Sequence, residues 1–315
     1  MTQPTLIWDF SDYYAEVADY LGYGRSPAGT NLTEVKRYTN EGYQRFLMGI
    51  NPKTGSAYMW SFLAPETTMV FWASVGTSIA SSGVSTITGP TANTFYDSMV
   101  GHNIVQSTST FPIVSVSTGG TTATVSTDAS GLVAGTSFTI TSDGTYTLPD
   151  NFYGLVDDFR YDKNQDGQIV YPATPQFVRT QRAGAGSGTG HPVYAAIQPV
   201  AYTTTIGQRW EVLTYPISGG DYTMYYRHRV VPAAMTAEAE YPIGGAMHAM
   251  TLLECCLAVA ETRKQDGEHY HQDLANLYMS ASIDIDARNR PRNLGYNADG
   301  VLTGGFDRRG TVTYP

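Results

Sequence analysis

Apolar residues recur at helical spacing near both ends of the chain and lose that spacing between them. Residues 9–50 and 242–288 each carry two apolar stripes joined by a short turn. Because residues three and four apart share one face of a helix, each region is predicted to form a helical hairpin. The stripes consist of Phe10, Tyr13, Tyr14, Val17 and Leu21; Leu32, Val35, Tyr43, Phe46, Leu47 and Ile50; Ala246, Met250, Leu253, Leu257 and Ala260; and Tyr270, Leu274, Leu277, Ala281 and Ile285.

Short polar motifs predict the ends of the two N-terminal helices. Asp9 or Ser11 can cap the first helix, because both side chains accept hydrogen bonds from free backbone amides. Asn31 followed three residues later by Glu34 resembles a capping box that opens the second helix. Asn51-Pro52 is predicted to stop it, since proline cannot continue a helix.

The middle of the chain breaks into short β-prone runs separated by turn signals such as Ser82-Gly83 and Asp143-Gly144. Runs spaced about ten residues apart are typical of a small sandwich or barrel. Residues 58–63 are predicted to be a strand or a buried connector. The later runs are Thr67–Val75, Val84–Thr88, Asn103–Gln106, Ile113–Ser117, Thr122–Ser126, Ser137–Thr141, Leu155–Tyr161, Gln168–Tyr171, Val193–Thr204, Arg209–Leu213 and Asp221–Val231.

These patterns predict an α+β fold. Residues 1–65 and 236–290 are predicted to form one discontinuous helical bundle, from which the β material grows out. Residues 66–148 are predicted to be a β-sandwich or barrel insertion, and 149–235 an antiparallel β segment. Residues 291–315 are rich in Gly, Asn and Arg and have no apolar periodicity, so we expect an extended C-terminal arm that lies on a neighbour or moves freely.

Charge narrows the function classes. The formal net charge is −9, and no Lys or Arg lies between Lys53 and Arg160. A protein that reads a nucleic-acid sequence normally has a basic surface, so the charge argues against this class. It is compatible with a conduit through which DNA passes without adhering. Scarce charge with 23 Tyr favours β surfaces that touch other protein.

The sequence predicts no disulfide, no signal peptide and no membrane span. Cys255 and Cys256 are adjacent within a helical pattern, where a disulfide would be strained, so we expect two reduced thiols in or near the core. The N-terminus has neither a basic segment nor an apolar one, so we expect no signal peptide. No run reaches the roughly 18 apolar residues of a membrane span.

One motif could bind a metal. Asp162, Asn164 and Asp166 match the first half of an EF-hand calcium loop, but Ala173 stands where the bidentate Glu belongs. The alternative is a hairpin turn at Asp166-Gly167. Both interpretations stay open, with Ca²⁺ as a weak candidate.

Other motifs point to no chemistry. The loop Gly184–Gly190 lacks the Lys-Ser/Thr of a phosphate-binding loop and is predicted to be a surface loop. His269 and His271 lie on different helix faces and are predicted to be solvated. Two carboxylate pairs, Asp157-Asp158 and Asp284 with Asp286, have no sequence feature that distinguishes them from ordinary surface charges. We therefore assign no catalytic residue and no cofactor.

The tail concentrates positive charge. Arg288, Arg290, Arg292, Arg308 and Arg309 are five of the nineteen basic residues of the chain. They either form a solvated tail or dock on an acidic neighbouring surface, where guanidinium groups pair with carboxylates.

Four strings resemble one known family, the head-to-tail adaptor (head-completion or connector) proteins of tailed bacteriophages. They are Val35–Leu47, Tyr58–Leu63, Tyr146–Phe152 and Asp286–Tyr296, which cover the helical ends and the junctions. Residues 76–145 are similar to a β insertion that varies among such adaptors.

The resemblance implies a structural virion protein without enzymatic activity, assembled in the host cytoplasm. Such proteins form a homo-oligomeric ring, usually twelvefold, between the portal and the tail or nozzle, and double-stranded DNA passes through its channel. It also implies that the C-terminal arm contacts the portal, through Arg288, Arg290, Arg292, Tyr296, Phe306, Arg308 and Arg309. Two alternatives remain: another tail or surface protein whose β module binds carbohydrate, and a soluble hydrolase.

Overall fold

The computed structural model describes residues 6–130, 132–165, 169–185, 188–201, 207–264 and 269–289. The fold is α+β, as predicted. The chain divides into two compact units. We call residues up to Ser61 together with those from Ala234 onward the helical unit, and Phe62–Ala233 the β unit.

The structure contains α1 (Phe10–Tyr20), α2 (Gly29–Met48), α3 (Pro175–Ala185), α4 (Ala249–Lys264) and α5 (Tyr270–Asn289). Asp9 caps α1: its carboxylate accepts a hydrogen bond from the Asp12 amide at 3.1 Å, and the Asp12 carboxylate accepts one from the Asp9 amide at 3.2 Å. The predicted capping box at Asn31 and Glu34 is wrong, because α2 already begins at Gly29. Glu34 instead accepts hydrogen bonds from the hydroxyls of Tyr23 and Tyr38.

Helix α4 is the centre of the helical unit and packs against α1, α2 and α5. It is buried on nearly every side, which explains why even Glu254 and Glu261 are buried. Gly42 of α2 permits the closest approach, since a Cβ there would lie 2.4 Å from the Cα of Cys256.

The cysteine prediction is confirmed. Cys255 and Cys256 are both free and buried. Burial raises the pKa of the Cys255 thiol to about 12, and burial also raises that of Cys256. The Cys256 Sγ lies 3.4 Å from the Thr39 carbonyl oxygen.

The stripe predicted for the last helix is wrong, because none of its five positions is buried. The buried positions of α5 instead include Ala275, Met279, Ser282 and Ile283. The buried face includes a serine because a partner satisfies it: the Ser282 and Thr251 hydroxyls lie 2.5 Å apart. Of the stripe predicted for α4, Leu253, Leu257 and Ala260 are buried. Met250 is half exposed, and Ala246 precedes the helix and is only partly buried.

The β unit contains sixteen strands among the described residues. They are β1 (Glu66–Phe71), β2 (Val75–Ser78), β3 (Ser81–Ser82), β4 (Thr86–Thr88), β5 (Asn103–Gln106), β6 (Ser109–Val116), β7 (Thr122–Val125), β8 (Ser137–Ile140), β9 (Thr145–Thr147), β10 (Phe152–Tyr161), β11 (Tyr171–Pro172), β12 (Thr189–Gly190), β13 (Tyr194–Pro199), β14 (Trp210–Tyr215), β15 (Ile217–Ser218) and β16 (Tyr222–Val230).

These strands form four sheets. Their orders are β1-β16-β10, β11-β13-β14-β9, β12-β15 and β2-β8-β5-β6-β7-β4-β3. In the first sheet, Met224, Tyr226 and His228 of β16 are buried and Tyr225 is exposed, so alternate residues face the core. One large apolar cluster, which includes Phe71, Trp72, Phe138 and Tyr146, underlies the first, second and fourth sheets.

The two edge strands of the seven-stranded sheet follow each other directly in the chain. Its two terminal strands, β2 and β3, are halves of one extended segment, and they pair with β8 and β4 respectively. Between them the Ile79 amide donates to the Thr136 carbonyl at 2.9 Å, and the Ala80 amide donates to the Thr88 carbonyl at 2.9 Å. Hydrogen bonds therefore run from this segment to both neighbours, and Ile79, Ile87 and Phe138 are buried.

Residues 149–235, predicted to be an antiparallel β segment, do contain the antiparallel pairs β10–β16 and β13–β14. The prediction is incomplete, because the region also contains α3, and β11–β13 and β12–β15 pair in parallel. The predicted strand at 168–171 is reduced to Tyr171–Pro172, and the start of the predicted surface loop at Gly184 belongs to α3. Helix α3 is held by Arg182, whose guanidinium donates to the carbonyls of Gly144 and Thr214 at 2.7 and 2.8 Å.

Candidate assembly surfaces

The predicted portal-binding arm lies almost wholly outside the described residues. Arg290, Arg292, Tyr296, Phe306, Arg308 and Arg309 belong to that part of the chain. Arg288 is described and occupies the last turn of α5, where it is exposed. A cation there interacts favourably with the helix dipole, so its position is reasonable even without a partner.

A buried carboxylate fixes the end of α5 from which the arm leaves. Asp286 is 4% exposed and accepts hydrogen bonds from the Tyr58 hydroxyl at 2.8 Å, the Ser61 amide at 3.0 Å and the Ser61 hydroxyl at 2.5 Å. Three donors compensate the loss of water around the charge. Asp286 is therefore a structural anchor, whereas its predicted companion Asp284 is exposed.

An aromatic cluster lies beside this anchor. The Trp60 ring lies 5.0 Å from that of Phe46, 5.2 Å from that of Tyr58 and 5.4 Å from that of His248. The Trp60 indole also donates to the Phe46 carbonyl at 3.1 Å. Burial lowers the pKa of His248, which the charge of Asp286 only partly opposes, so this histidine is neutral near pH 7.

Exposed methionine and isoleucine side chains neighbour this cluster in sequence. We call Met48, Ile50, Met59, Met247 and Met250 the methionine surface; each is 48–70% exposed. Exposed apolar side chains of this size are available to a partner protein, and methionine adapts its shape to a partner. Sequence reasoning missed this surface, and assigned Ile50 and Met250 to buried stripes.

The prediction that His269 and His271 are both solvated is wrong for His271. Its Nδ1 lies 2.8 Å from Glu254 Oε2, and its ring meets the Tyr20 ring edge-on at 5.0 Å. Glu261 accepts hydrogen bonds from the backbone amides of His271 and Gln272 and so caps α5. Within the described residues, no group of three or more His, Cys, Asp or Glu side chains is placed to hold a metal ion.

The calcium candidate is only partly visible. The Asp162 carboxylate accepts hydrogen bonds from the Lys163 amide at 2.8 Å and the Asn164 amide group at 3.3 Å, while Asp166 lies outside the described residues. Arg160 and Ile169 form an antiparallel bridge across this segment, which is the pairing that a hairpin requires.

One cleft of the β unit, of about 490 Å³, contains the pair His102 and Asp143. The Asp143 carboxylate accepts hydrogen bonds from Thr145 and lies 3.4 Å from His102 Nε2. Burial alone would raise the pKa of Asp143, but the hydrogen bonds from His102 and Thr145 hold it well below its usual range. Such a carboxylate is a weak base, so the pair orders the Asp143-Gly144 turn.

A second cleft, of about 470 Å³, lies between β1 and the end of β6. We call it the edge cleft. Its lining includes Thr67–Val70 of β1, Val114–Val116 of β6 and Tyr226 of β16. Neither cleft was predicted, because each is formed by strands far apart in sequence.

Comparison with known proteins identifies the family of the chain. A family model described as SU10 adaptor protein matches residues 122–295, more than half of the chain. The match spans part of the β unit and both helices α4 and α5. A search of curated proteins finds no match. Among the described helices, none combines the length and apolarity needed to cross a membrane.

Proposed function

Because the chain belongs to the SU10 adaptor family of phage head-to-tail adaptors, a family of structural virion proteins, we propose that it forms a dodecameric ring between the portal and the tail. In this proposal the ring has no enzymatic activity, is assembled in the host cytoplasm and surrounds a channel through which double-stranded DNA passes. The family match over residues 122–295 is the observation that carries the proposal.

A ring requires heterologous contacts, in which one surface of a subunit meets a different surface of the next. We infer that the β unit supplies these contacts, because its residues up to Phe159 contain no Lys or Arg and few charges need to be desolvated there. The net charge of −9 disfavours adhesion of the DNA backbone to the channel.

The portal contact is assigned to the helical bundle formed by α1, α2, α4 and α5 and to the arm that follows it. The methionine surface lies near the end of α5, since Tyr58 contacts both Trp60 and Asp286. The arm begins there, so both elements can bind the portal together. The arm residues are Arg288, Arg290, Arg292, Tyr296, Phe306, Arg308 and Arg309.

Co-sedimentation with portal rings of the same phage tests this assignment. We expect the full chain to sediment with portal rings, and electron microscopy to show one added ring. A variant with the five arm arginines changed to glutamine should bind at least tenfold more weakly, with a smaller dependence on salt. Equal binding by this variant would contradict the role of the arm, and no binding by the full chain would contradict the proposed function.

A matched control removes the same amount of charge elsewhere. It changes five exposed basic residues to glutamine: Arg25, Arg37, Lys53, Lys163 and Arg179. We expect this control to bind portal rings as the full chain does.

A further inference from the structure

Strand β1 has a free edge that faces the edge cleft. In the described chain β1 pairs with β16 alone and ends its sheet. Across the cleft, Val114–Val116 lie beyond the last residue of β6 that pairs with β5. An unpaired strand edge in a cleft is the arrangement that accepts an additional strand from another chain.

The backbone of β1 offers hydrogen-bonding groups on this side. The Val70 carbonyl accepts a hydrogen bond from the Ser98 hydroxyl at 2.7 Å. Ser98 lines the edge cleft, so that carbonyl points away from β16. In an antiparallel strand the groups of alternate residues point the same way, which places the amide and carbonyl of Thr68 on the cleft side too.

A buried hydroxyl in the same cleft lacks a partner. Tyr226 is 2% exposed, and its hydroxyl has no hydrogen bond within the described structure. Its ring is fixed between those of Phe159 and His228, at 5.0 and 5.2 Å. A buried unpaired hydroxyl is costly, so its presence beside a free edge indicates that a partner is still to bind.

The C-terminal end of the chain has the character of such a partner. Thr311-Val312-Thr313-Tyr314 consists of β-branched and aromatic residues, which favour strands. Arg308 and Arg309 precede it, and the exposed carboxylate of Asp97 lies on the edge cleft. The 26 residues after Asn289 span up to about 80 Å when extended, enough to reach another subunit.

We propose that residues 311–314 of one copy add a strand to the β1 edge of a neighbouring copy. The added strand bonds to the backbone of Thr68, and one of its polar groups pairs with the Tyr226 hydroxyl. The inference rests on the proposed ring and refines it. The arm from Arg288 to Phe306 contacts the portal, whereas Arg308 and Arg309, assigned above to the portal contact, act with residues 311–314 between adjacent subunits.

Disulfide trapping tests the added strand. One tagged chain carries Thr68→Cys, and a second chain carries a single cysteine at Thr311, Val312, Thr313 or Tyr314. The two chains are mixed, assembled on portal rings and oxidised. Because side chains alternate between the two faces of a strand, we expect strong disulfides between copies at two alternate positions and at least tenfold less at the other two.

The controls separate this contact from random encounter. The native Cys255 and Cys256 are buried and should form no bond. Replacing Thr68→Cys by Val156→Cys places an exposed cysteine on β10, the opposite edge of the sheet. It should give no alternating pattern.

The other outcomes overturn the inference. Equal trapping at all four positions indicates loose contact, and absence of trapping indicates another site for the tail. If a chain that carries both cysteines forms a disulfide within itself, while the two mixed chains form none with each other, the added strand pairs within one copy. Normal sedimentation with portal rings in these cases shows that the proposed function survives, whereas loss of sedimentation by the native chain refutes that function separately.

Discussion

Gly42 of α2 and Cys256 of α4 lie in direct backbone contact: a methyl group on Gly42 would lie 2.4 Å from the Cys256 Cα and 2.7 Å from its amide nitrogen. Both groups are backbone, so neither can turn aside. The separation of these two helices is thus set by the absence of a side chain at residue 42.

We expect Gly42→Ala to lower the free energy of unfolding by about 3 kcal/mol, because overpacking forces the helices apart. Urea unfolding followed by circular dichroism measures the change. Gly184→Ala is the control: it lies in α3 with no atom within 4 Å of the added Cβ, and should be neutral or stabilising by up to about 1 kcal/mol. A loss below about 0.5 kcal/mol for Gly42→Ala would contradict the close contact.

The Asp286 anchor predicts a contrast between two nearby acids. Asp286→Ala leaves the Ser61 amide and two hydroxyls without their acceptor, so we expect a loss of about 2–4 kcal/mol. Asp284→Ala alters an exposed carboxylate and should change stability by less than about 0.5 kcal/mol. Thermal unfolding of both variants, recorded side by side, checks this; similar values for the two would show that the anchor is unimportant.

Removing the Tyr226 hydroxyl should affect assembly more than folding. Because that hydroxyl has no partner among the described residues, Tyr226→Phe is expected to leave the stability of the subunit unchanged or raise it by about 1 kcal/mol. Ring formation on portals should weaken several-fold, since the bond to the added strand is lost.

Tyr146→Phe provides the opposite case. Its hydroxyl donates to the Trp72 carbonyl and lies 3.3 Å from the Ser142 hydroxyl, so its removal should cost about 1 kcal/mol in the subunit. Unfolding of each subunit and light scattering of the assemblies measure the two effects. A destabilised Tyr226→Phe subunit with normal assembly would contradict the role given to Tyr226.

Buried histidine makes stability depend on pH. Burial lowers the pKa of His228, and neither ring nitrogen has a hydrogen-bond partner in the described structure. Below the ordinary pKa of about 6.5 the unfolded chain binds a proton that the folded chain does not. Stability is therefore complete above that value and falls as the pH drops, until the lower pKa of the folded state is reached, by at most about 1.4 kcal/mol per pH unit.

The same shift is expected of His248, whose pKa burial also lowers. His228→Phe keeps a planar ring between Phe152 and Tyr226 and should reduce the loss between pH 7.5 and 5.5. Asp143 affects stability in a lower pH range. Because its pKa is lower in the folded state than the ordinary 3.8, its contribution is complete above about pH 3.8 and is lost as the pH falls below that value. Urea unfolding at several pH values distinguishes these contributions; an unchanged pH slope in His228→Phe would count against them.

Local pattern sufficed for four of the five helices and most strands, because burial of one face leaves a period in the sequence. It failed at α3, whose sequence Pro175–Ala185 is mostly polar and buries Val178. That helix is held by guanidinium bonds from Arg182 to distant carbonyls, which no local period reports. The face of α5 was mispredicted for a similar reason, since Ser282 is buried through a hydrogen bond rather than through apolarity.

The candidate surfaces were less accessible to sequence reasoning. The Trp60–His248 contact joins residues 188 positions apart, and the edge cleft joins β1 to β6. Short-range periodicity carries no information on such pairings. A usable signal existed for part of the methionine surface, because Met48 is the last residue of α2 and Met247 and Met250 flank the start of α4.

The burial of Cys255 and Cys256 has a consequence for the particle after it leaves the cell. A virion component is exposed to aerated water, where accessible thiolates are oxidised or joined to one another. Thiols that are enclosed in a helix core and held protonated do not react in this way. The two thiols are therefore protected from oxidation, whereas the exposed sulfur atoms of the methionine surface are not.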